Sequence, residues 1–283
     1  MSEDWLGLKS KVVAITGAVG GMGRVISQEF AKQGADLVLL DIKEEALSSF
    51  AEELSAEYPV EVLPITIDTR NEEMVERAVR ITIENFGKID VLVNTAAILR
   101  ACPLEDLPLD EWRETLDINI TGYLLVSQRF GREMIKQGKG NLIHISTIAS
   151  VFPETYSAAY STTKAAVNMM SRQMAAEWGM FGLRSNCIQP CFVKTPLSEP
   201  FYADPKVEAG RKQLTANKRI GTTMDIANAV LYLASDRSEY TSGHELRVEG
   251  GFGIMMGDQT PKPGGRREYA IKEHQNYLER KNK

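Results

Sequence analysis

A phenol and an ammonium stand four residues apart at Tyr160 and Lys164, inside the alanine-flanked run from Ala158 to Ala166. On a helix this spacing puts both side chains on one face, about one turn apart. An isolated tyrosine hydroxyl, with a pKa near ~10, is a poor base at neutral pH. A fixed positive charge beside it favours the phenolate and lowers that value. The pair can therefore serve as a proton-transfer device. By itself Tyr-x-x-x-Lys is common on solvated helix faces, so its weight depends on the elements that position it.

The first of those elements lies near the N-terminus. Lys11 to Thr16 is a short apolar, β-branched run that reads as a buried strand. It leads into Gly17-Ala18-Val19-Gly20-Gly21-Met22-Gly23 and then an amphipathic segment ending at Gly34. Glycines at a strand-to-helix junction let the backbone turn tightly and approach a pyrophosphate, which sits at the positive end of the helix. Ala35 to Leu40 reads as a second strand ending at Asp41, 18 residues after Gly23. That is close to the roughly 20 expected for an acid that hydrogen-bonds the adenosine ribose. A carboxylate there repels a 2′-phosphate, which favours NAD over NADP; Lys43 is the one nearby cation that opposes this. The bland reading makes the glycines a ligand-free turn and Asp41 an N-cap for the helix from Glu44 to Tyr58. The tandem of loop and acid favours the cofactor reading.

The alternation continues. Val60 to Ile67 reads as a third strand ending in Asp68-Thr69, and Asn71 caps a helix running to Phe86. Ile89 to Val93 is a fourth strand ending in Asn94-Thr95-Ala96-Ala97. Leu107 to Gln137 is mostly helical, with Asn119 and Gly122 weakening it locally. Asn141 to Ile145 is a fifth strand that ends in Ser146-Thr147, 13 residues before Tyr160. Leu183 to Gln189 is a sixth strand followed by Pro190-Cys191-Phe192-Val193-Lys194-Thr195-Pro196, and Glu245 to Val248 a last one after the helix from Asp225 to Ala234. Strands alternating with helices imply α/β architecture: one doubly wound, Rossmann-type parallel sheet of about seven strands with helices on both faces. Ligands then bind at the carboxyl ends of the strands, where Asp68, Asn94 and Ala96 fall.

Bulk properties narrow the class. The 283 residues carry 43% hydrophobic and 25% charged side chains, ordinary for a globular protein. A net charge of −5 argues against a nucleic-acid partner held by phosphate neutralisation. Three cysteines (Cys102, Cys187, Cys191) suit a reducing, cytoplasmic setting, and no histidine or further cysteine near the last two completes a metal set. The N-terminal residues lack the apolar core of a signal peptide, and no apolar run reaches the ~18 residues of a membrane helix.

Together these residues resemble the short-chain dehydrogenase/reductase family, up to Gly251. The matching pieces are Thr16-Gly17-x-x-x-Gly21-x-Gly23, Asp41, Asp68, Asn94, Asn119, Tyr160-x-x-x-Lys164, Pro190 and Thr195, all in the family's order. The resemblance implies a catalytic group of Asn119, Thr147, Tyr160 and Lys164, with Thr147 standing where the family has a serine. It implies cofactor contacts from Gly17, Gly21, Met22, Gly23, Asp41, Asp68, Thr69, Asn94, Ala96, Tyr160, Lys164, Pro190, Val193 and Thr195. Two further departures are Asn94-Thr95-Ala96-Ala97 for the family's Asn-Asn-Ala-Gly, and Pro190-Cys191 for its Pro-Gly. Cys191 reads either as a pocket residue or as tolerated packing.

The implied reaction is reversible hydride transfer between NAD and a carbon bearing a hydroxyl. Tyr160 is the general acid/base, Lys164 lowers its pKa and binds the nicotinamide ribose, and Thr147 orients the substrate oxygen. Asn119 holds a water linking Lys164 to solvent, while Val193 and Thr195 fix the carboxamide. The partner is a small alcohol or ketone, and the resemblance implies a homo-oligomer, a tetramer before a dimer. The rivals are an NADPH-linked 3-oxoacyl-carrier-protein reductase, which Asp41 opposes, and a turnover-free NAD-binding sensor or scaffold, which the intact Tyr160, Lys164 and Asn119 oppose. Two stretches fall outside the alternation. Leu197 to Arg219 has the length of a substrate lid. The extension from Phe252 to Lys283, with seven Lys/Arg against four Asp/Glu, is a mildly basic tail or an arm for a neighbouring subunit.

Overall fold

The computed structural model describes residues 4–196 and 198–281. The elements run β1 (Val12–Thr16), α1 (Gly21–Lys32), β2 (Asp36–Asp41), α2 (Glu44–Glu57), β3 (Val62–Thr66), α3 (Glu72–Phe86), β4 (Val91–Asn94), α4 (Leu109–Leu116), α5 (Gly122–Gln137), β5 (Gly140–Ile145), α6 (Tyr160–Trp178), β6 (Leu183–Pro190), α7 (Pro205–Leu214), α8 (Thr223–Ala234), β7 (Glu245–Val248) and α9 (Arg266–Lys281). Seven parallel strands form one sheet in the order β3-β2-β1-β4-β5-β6-β7. The order reverses at β1, which pairs with β2 on one side and β4 on the other. That switch opens a crevice at the strands' carboxyl ends.

Alternation along the strands divides the core between two faces. Val13, Ile15, Leu37 and Leu39 pack with Ile26 and Phe30 of α1, Leu47 and Phe50 of α2, and Ile226 and Val230 of α8. Val12, Ala14, Val38 and Leu40 pack with Val75 of α3, Val126 and Phe130 of α5, and Met174 of α6. Both faces are thus covered, as strands this uniformly apolar require.

Local chemistry sets the ends that matter for the site. Asn71 accepts from Met74 N at 3.0 Å and starts α3. Thr222 and Asp225 form a reciprocal capping box on α8. Lys43, with no side-chain bond of its own, holds the cap position of α2, so Asp41 is not that helix's N-cap. The expected helix from Leu107 begins instead at Leu109, after Pro108, and opens into a π-helical turn at Asp117–Thr121. Asn119 lies in the middle of that wide turn, a distortion that concentrates at functional sites.

The expected lid holds a 3₁₀ turn at Glu199–Tyr202 and α7; Leu197, its first residue, lies outside the described residues. The chain goes on packing past Gly251: the Phe252 ring meets Phe152 and Phe192 edge-on, at centroid distances of 6.3 and 5.3 Å. Beyond it α9 has no buried residue, and the last residues of the expected arm, Asn282 and Lys283, lie outside the described residues. Among the described residues no helix is long and apolar enough to cross a membrane.

Candidate active site

The loop after β1 is shaped by positions that refuse a side chain. Gly17 has φ +64°, and a Cβ there would lie 2.9 Å from the Cα of Ala96. A Cβ on Gly23 would collide with the carbonyl of Gly17, and one on Gly21 would lie 2.6 Å from Pro196 Cδ. The glycines thus let α1 seat against the loop, with Thr195-Pro196 folded over its first turn. Gly20 caps α1 without a side-chain hydrogen bond, and the first turn holds no acid. Its exposed amide donors suit an anionic group. Met22 extends from that turn onto the core beside α1.

Asp41, at the end of β2, reaches this loop: its carboxylate accepts from Val19 N at 3.2 Å and from Lys43 N at 3.1 Å. An acid fixed at the loop's edge fits a ribose diol. Asp68 is committed elsewhere. Arg70 grips its carboxylate through Nε and Nη2 at 2.6–3.0 Å, and this bond holds the Asp68 pKa below its ordinary value. Thr69 packs its hydroxyl onto Gly122, where a Cβ would come within 2.7 Å. Asn94 turns into the interior, donating to Ser127 Oγ at 2.9 Å and accepting from Thr16 Oγ1 at 3.3 Å.

Thr95 stitches the crevice together. Its hydroxyl donates to Thr16 O at 2.6 Å, while Thr95 N and Ala96 N both donate to Thr16 Oγ1. This departure from the family's second asparagine therefore ties β4 to the glycine loop. On the far side Pro190 ends β6 and Val193 pairs with Gly221. Thr195 N donates to Ser198 Oγ at 3.0 Å, which holds the turn above α1.

The proton-transfer pair lies across the crevice. Tyr160 opens α6 and is half-buried; the segment before it is forced into left-handed backbone at Tyr156 (φ 62°) and Ala158 (φ 49°). Non-glycine residues in that region store strain, a habit of functional sites. Thr147, just past the end of β5, accepts from Ala149 N at 3.2 Å and lies near enough to Tyr160 to lower its pKa. Its neighbour Ser146 points away and donates to the backbone carbonyl of Lys164 at 3.2 Å. Burial pushes the Tyr160 phenol up to about 12, Glu154 adds to the rise, and the nearby Thr147 hydroxyl works against it.

Lys164 is fully buried. Its Nζ donates to Ile145 O at 2.8 Å and to Tyr123 Oη at 3.0 Å, and stands 5.9 Å from the centre of the Tyr160 ring. Burial brings its pKa down to about 7. In the protein alone, burial thus outweighs the lowering of the phenol that the sequence pattern suggests. Asn119 lies at 0% exposure within the π turn. Its amide accepts from Ile98 N and donates to Ile98 O, both at 2.9 Å, and donates to Thr163 Oγ1 at 3.2 Å. The side chain therefore clamps the loop after β4 to the first turn of α6.

Two residues absent from the sequence reading bear on this centre: Tyr123, which meets Lys164, and Glu154, whose charge acts on Tyr160. For Tyr123 no local signal exists, because its bond to Lys164 spans 41 residues. Cys191 is buried, its thiol pushed up to about 12 by burial, and it lines a small cavity with Val193, Gly221 and Val248.

A switch-point crevice, with the half-buried Tyr160 and the buried Lys164 at its far wall, suits an oxidoreductase acting on CH–OH groups. A family model described as enoyl-(acyl carrier protein) reductase matches residues 17–253. An NAD-dependent glycerol dehydrogenase of Listeria innocua is 32% identical over 247 residues, covering 87% of this chain and 95% of that one. The solved structure of a gluconate 5-dehydrogenase from Burkholderia cenocepacia, in complex with NADP and tartrate, matches with a TM-score of 0.85 and 29% identity over 89% of this chain and 98% of that one. A short-chain type dehydrogenase/reductase from Mycobacterium ulcerans matches with a TM-score of 0.85 and 26% identity, over 88% of this chain and 92% of that one. The chain belongs to the short-chain dehydrogenase/reductase family.

Proposed function

We propose that the protein interconverts a secondary alcohol and a ketone with NAD as the hydride partner and Tyr160 as general acid/base. The observation that carries the reading is the buried Lys164 Nζ, fixed by Ile145 O and Tyr123 Oη 5.9 Å from the centre of the Tyr160 ring, with Thr147 beside the phenol. A bound nicotinamide supplies the hydride acceptor for the alcohol carbon. Tyr160 takes the hydroxyl proton as the carbon–hydrogen bond breaks, and a carbonyl is left; reduction runs the same steps backwards. Thr147 orients the substrate oxygen. The positive charge of Lys164 favours the phenolate against its burial, and Asn119 holds the turn of α6 that carries both groups.

For the dinucleotide, Gly17, Gly21, Met22 and Gly23 form the pyrophosphate side and Asp41 the ribose side. Asp68, Thr69, Asn94 and Ala96 border the adenine-to-ribose stretch, and Pro190, Val193 and Thr195 the carboxamide. The Asp41 carboxylate repels a 2′-phosphate, so NAD is preferred. We further assign the chain to the cytoplasm as a homotetramer, with the segment after Gly251 an arm toward a neighbouring subunit. Polyols and sugars come first as substrates, because glycerol and gluconate name the substrates of similar proteins.

The test is NAD reduction followed at 340 nm over polyols, sugars, simple secondary alcohols and hydroxysteroids. One class should give turnover, at least tenfold faster with NAD than with NADP. Cofactor binding without turnover on any class would replace this reading with a binding protein.

A further inference from the structure

We infer that Tyr123 is a positioning residue of the catalytic group, its buried hydroxyl holding the Lys164 ammonium charged and in place beside Tyr160. The inference rests on the alcohol–ketone reading above for its catalytic consequence, and on geometry alone for the contact.

An ammonium has three donors and no acceptor, and out of water each unmet donor is costly. Lys164 finds two partners, Ile145 O at 2.8 Å and Tyr123 Oη at 3.0 Å. No carboxylate among the described residues forms an ion pair with it. The titratable groups around it are Tyr123 on α5, His144 on β5, Tyr160 on its own helix and Cys187 on β6. Of these, only Tyr123 offers it a hydrogen-bond acceptor among the described residues.

The direction of the Tyr123 bond is fixed. Its own proton goes to Ile145 O at 3.2 Å, which leaves an oxygen lone pair for the ammonium. Ile145 O thereby accepts from both groups and sets the triangle. The ring adds a second attraction, since Nζ lies 4.5 Å from its centre. Tyr123 itself is locked: it is 2% exposed, packs with Val167 and Cys187, and tilts against His144 at a centroid distance of 6.1 Å. Its place on α5 follows from the π-helical turn just before it, which Asn119 pins to Ile98 and Thr163. The Asn119 amide is spent on those bonds, so Tyr123 is the side chain from this helix that reaches the lysine.

The sign of the effect follows. Burial already favours the neutral amine. Removing the hydroxyl acceptor moves the balance further that way, and a neutral Lys164 no longer favours the Tyr160 phenolate. Alcohol oxidation then needs a higher pH.

The test uses the full-length protein and Tyr123→Phe, which keeps the ring and removes only the hydroxyl. Tyr123→Leu, which removes the ring as well, is the second variant should the first not fold, and circular dichroism checks both. Lys164 is titrated by its 13Cε resonance in lysine-labelled protein, identified by its loss in Lys164→Met. The midpoint should fall by about one pH unit or more in Tyr123→Phe, the size of one charge-assisted hydrogen bond, and further in Tyr123→Leu. The acid limb of kcat for alcohol oxidation should move up by a similar amount, with the alcohol KM changing less than threefold. An unchanged midpoint overturns the inference. So does a kcat lowered equally at all pH values with the limb in place, which reduces Tyr123 to core packing. Should the wild-type protein turn over no alcohol, the functional reading fails, and the NMR titration still decides whether Tyr123 holds the lysine.

Discussion

The two walls of the crevice are built by opposite means. The wall of β1, β2 and β4 recognises through backbone: glycines that exclude Cβ atoms, uncapped amides at the start of α1, and threonine hydroxyls that pin the loop. Its charged groups, Asp41 and Asp68, sit at the rim. The wall of β5, α5 and α6 works through side chains, and there a lysine is buried with no carboxylate partner among the described residues. The first arrangement places no lysine or phenol in the interior. The second is costly, because burial opposes both the charged lysine and the charged phenol, and such cost is expected where chemistry is done.

The sharpest way to break the contrast is at Tyr160. Tyr160→Phe should lower kcat by about 10⁴-fold, within the range for removing a general base, while NAD binding measured by fluorescence quenching stays within threefold of wild type. Turnover within tenfold of wild type would mean that the second wall does no proton transfer. The first wall is tested at Asp41. Replacing Asp41 by Ala and the exposed neighbour Ile42 by Arg should raise the NADP-to-NAD ratio of kcat/KM by about 10²-fold, because a repulsion becomes an ion pair. An unmoved ratio would take Asp41 out of the ribose site.

What the sequence makes legible divides along the same line. Backbone recognition depends on neighbours in the chain, so the spacing from Gly17 to Asp41 reads directly, as do the strand ends. The pairing of Thr147 with Tyr160, and the turning away of Ser146, follow from strand alternation. The lysine's partners do not read. Tyr123 lies 41 residues from Lys164 and Ile145 lies 19, and nothing local to either marks a bond that only the packing of α5 on β5 creates. Asn119 shows the reverse problem. Its place in the helix is visible, but its amide turns to Ile98 because the helix opens a π turn beneath it. Asp68 likewise stands at a strand end yet is taken by Arg70.

The cost of the second wall can be measured through pH. An unfolded lysine titrates near ~10.4, whereas burial brings Lys164 to about 7. Between these values the unfolded chain binds the extra proton, so the native state gains stability as pH rises. Below about 7 both states are charged and the full burial cost is present. Lys164→Met should therefore be more stable than wild type at pH 6.5. That advantage should shrink by about 2 kcal/mol, roughly 30-fold, on going to pH 9. Urea melts at the two values check it, and a constant difference would mean that Lys164 is not depressed by burial.

The smallest expected effect concerns the segment expected to form a lid, the 3₁₀ turn at Glu199–Tyr202 and α7. Arg211 on α7 lies 5.2 Å from the centre of Phe192, 5.1 Å from Phe201 and 5.0 Å from Tyr202. Phe192 is itself held in left-handed backbone (φ 49°) just after β6 and packs on Phe252. One cation thus ties the lid helix to the strained turn beside the substrate crevice. Contacts of this kind are worth roughly 0.5–1 kcal/mol each at exposed sites, and three that share one cation do not add in full. Arg211→Ala should raise the alcohol KM about fivefold and leave kcat and the NAD KM within twofold, because neither Tyr160 nor the glycine loop is touched. Steady-state kinetics in both substrates read this directly. A fall in kcat with an unchanged alcohol KM would instead make α7 part of the catalytic wall rather than a cover for it.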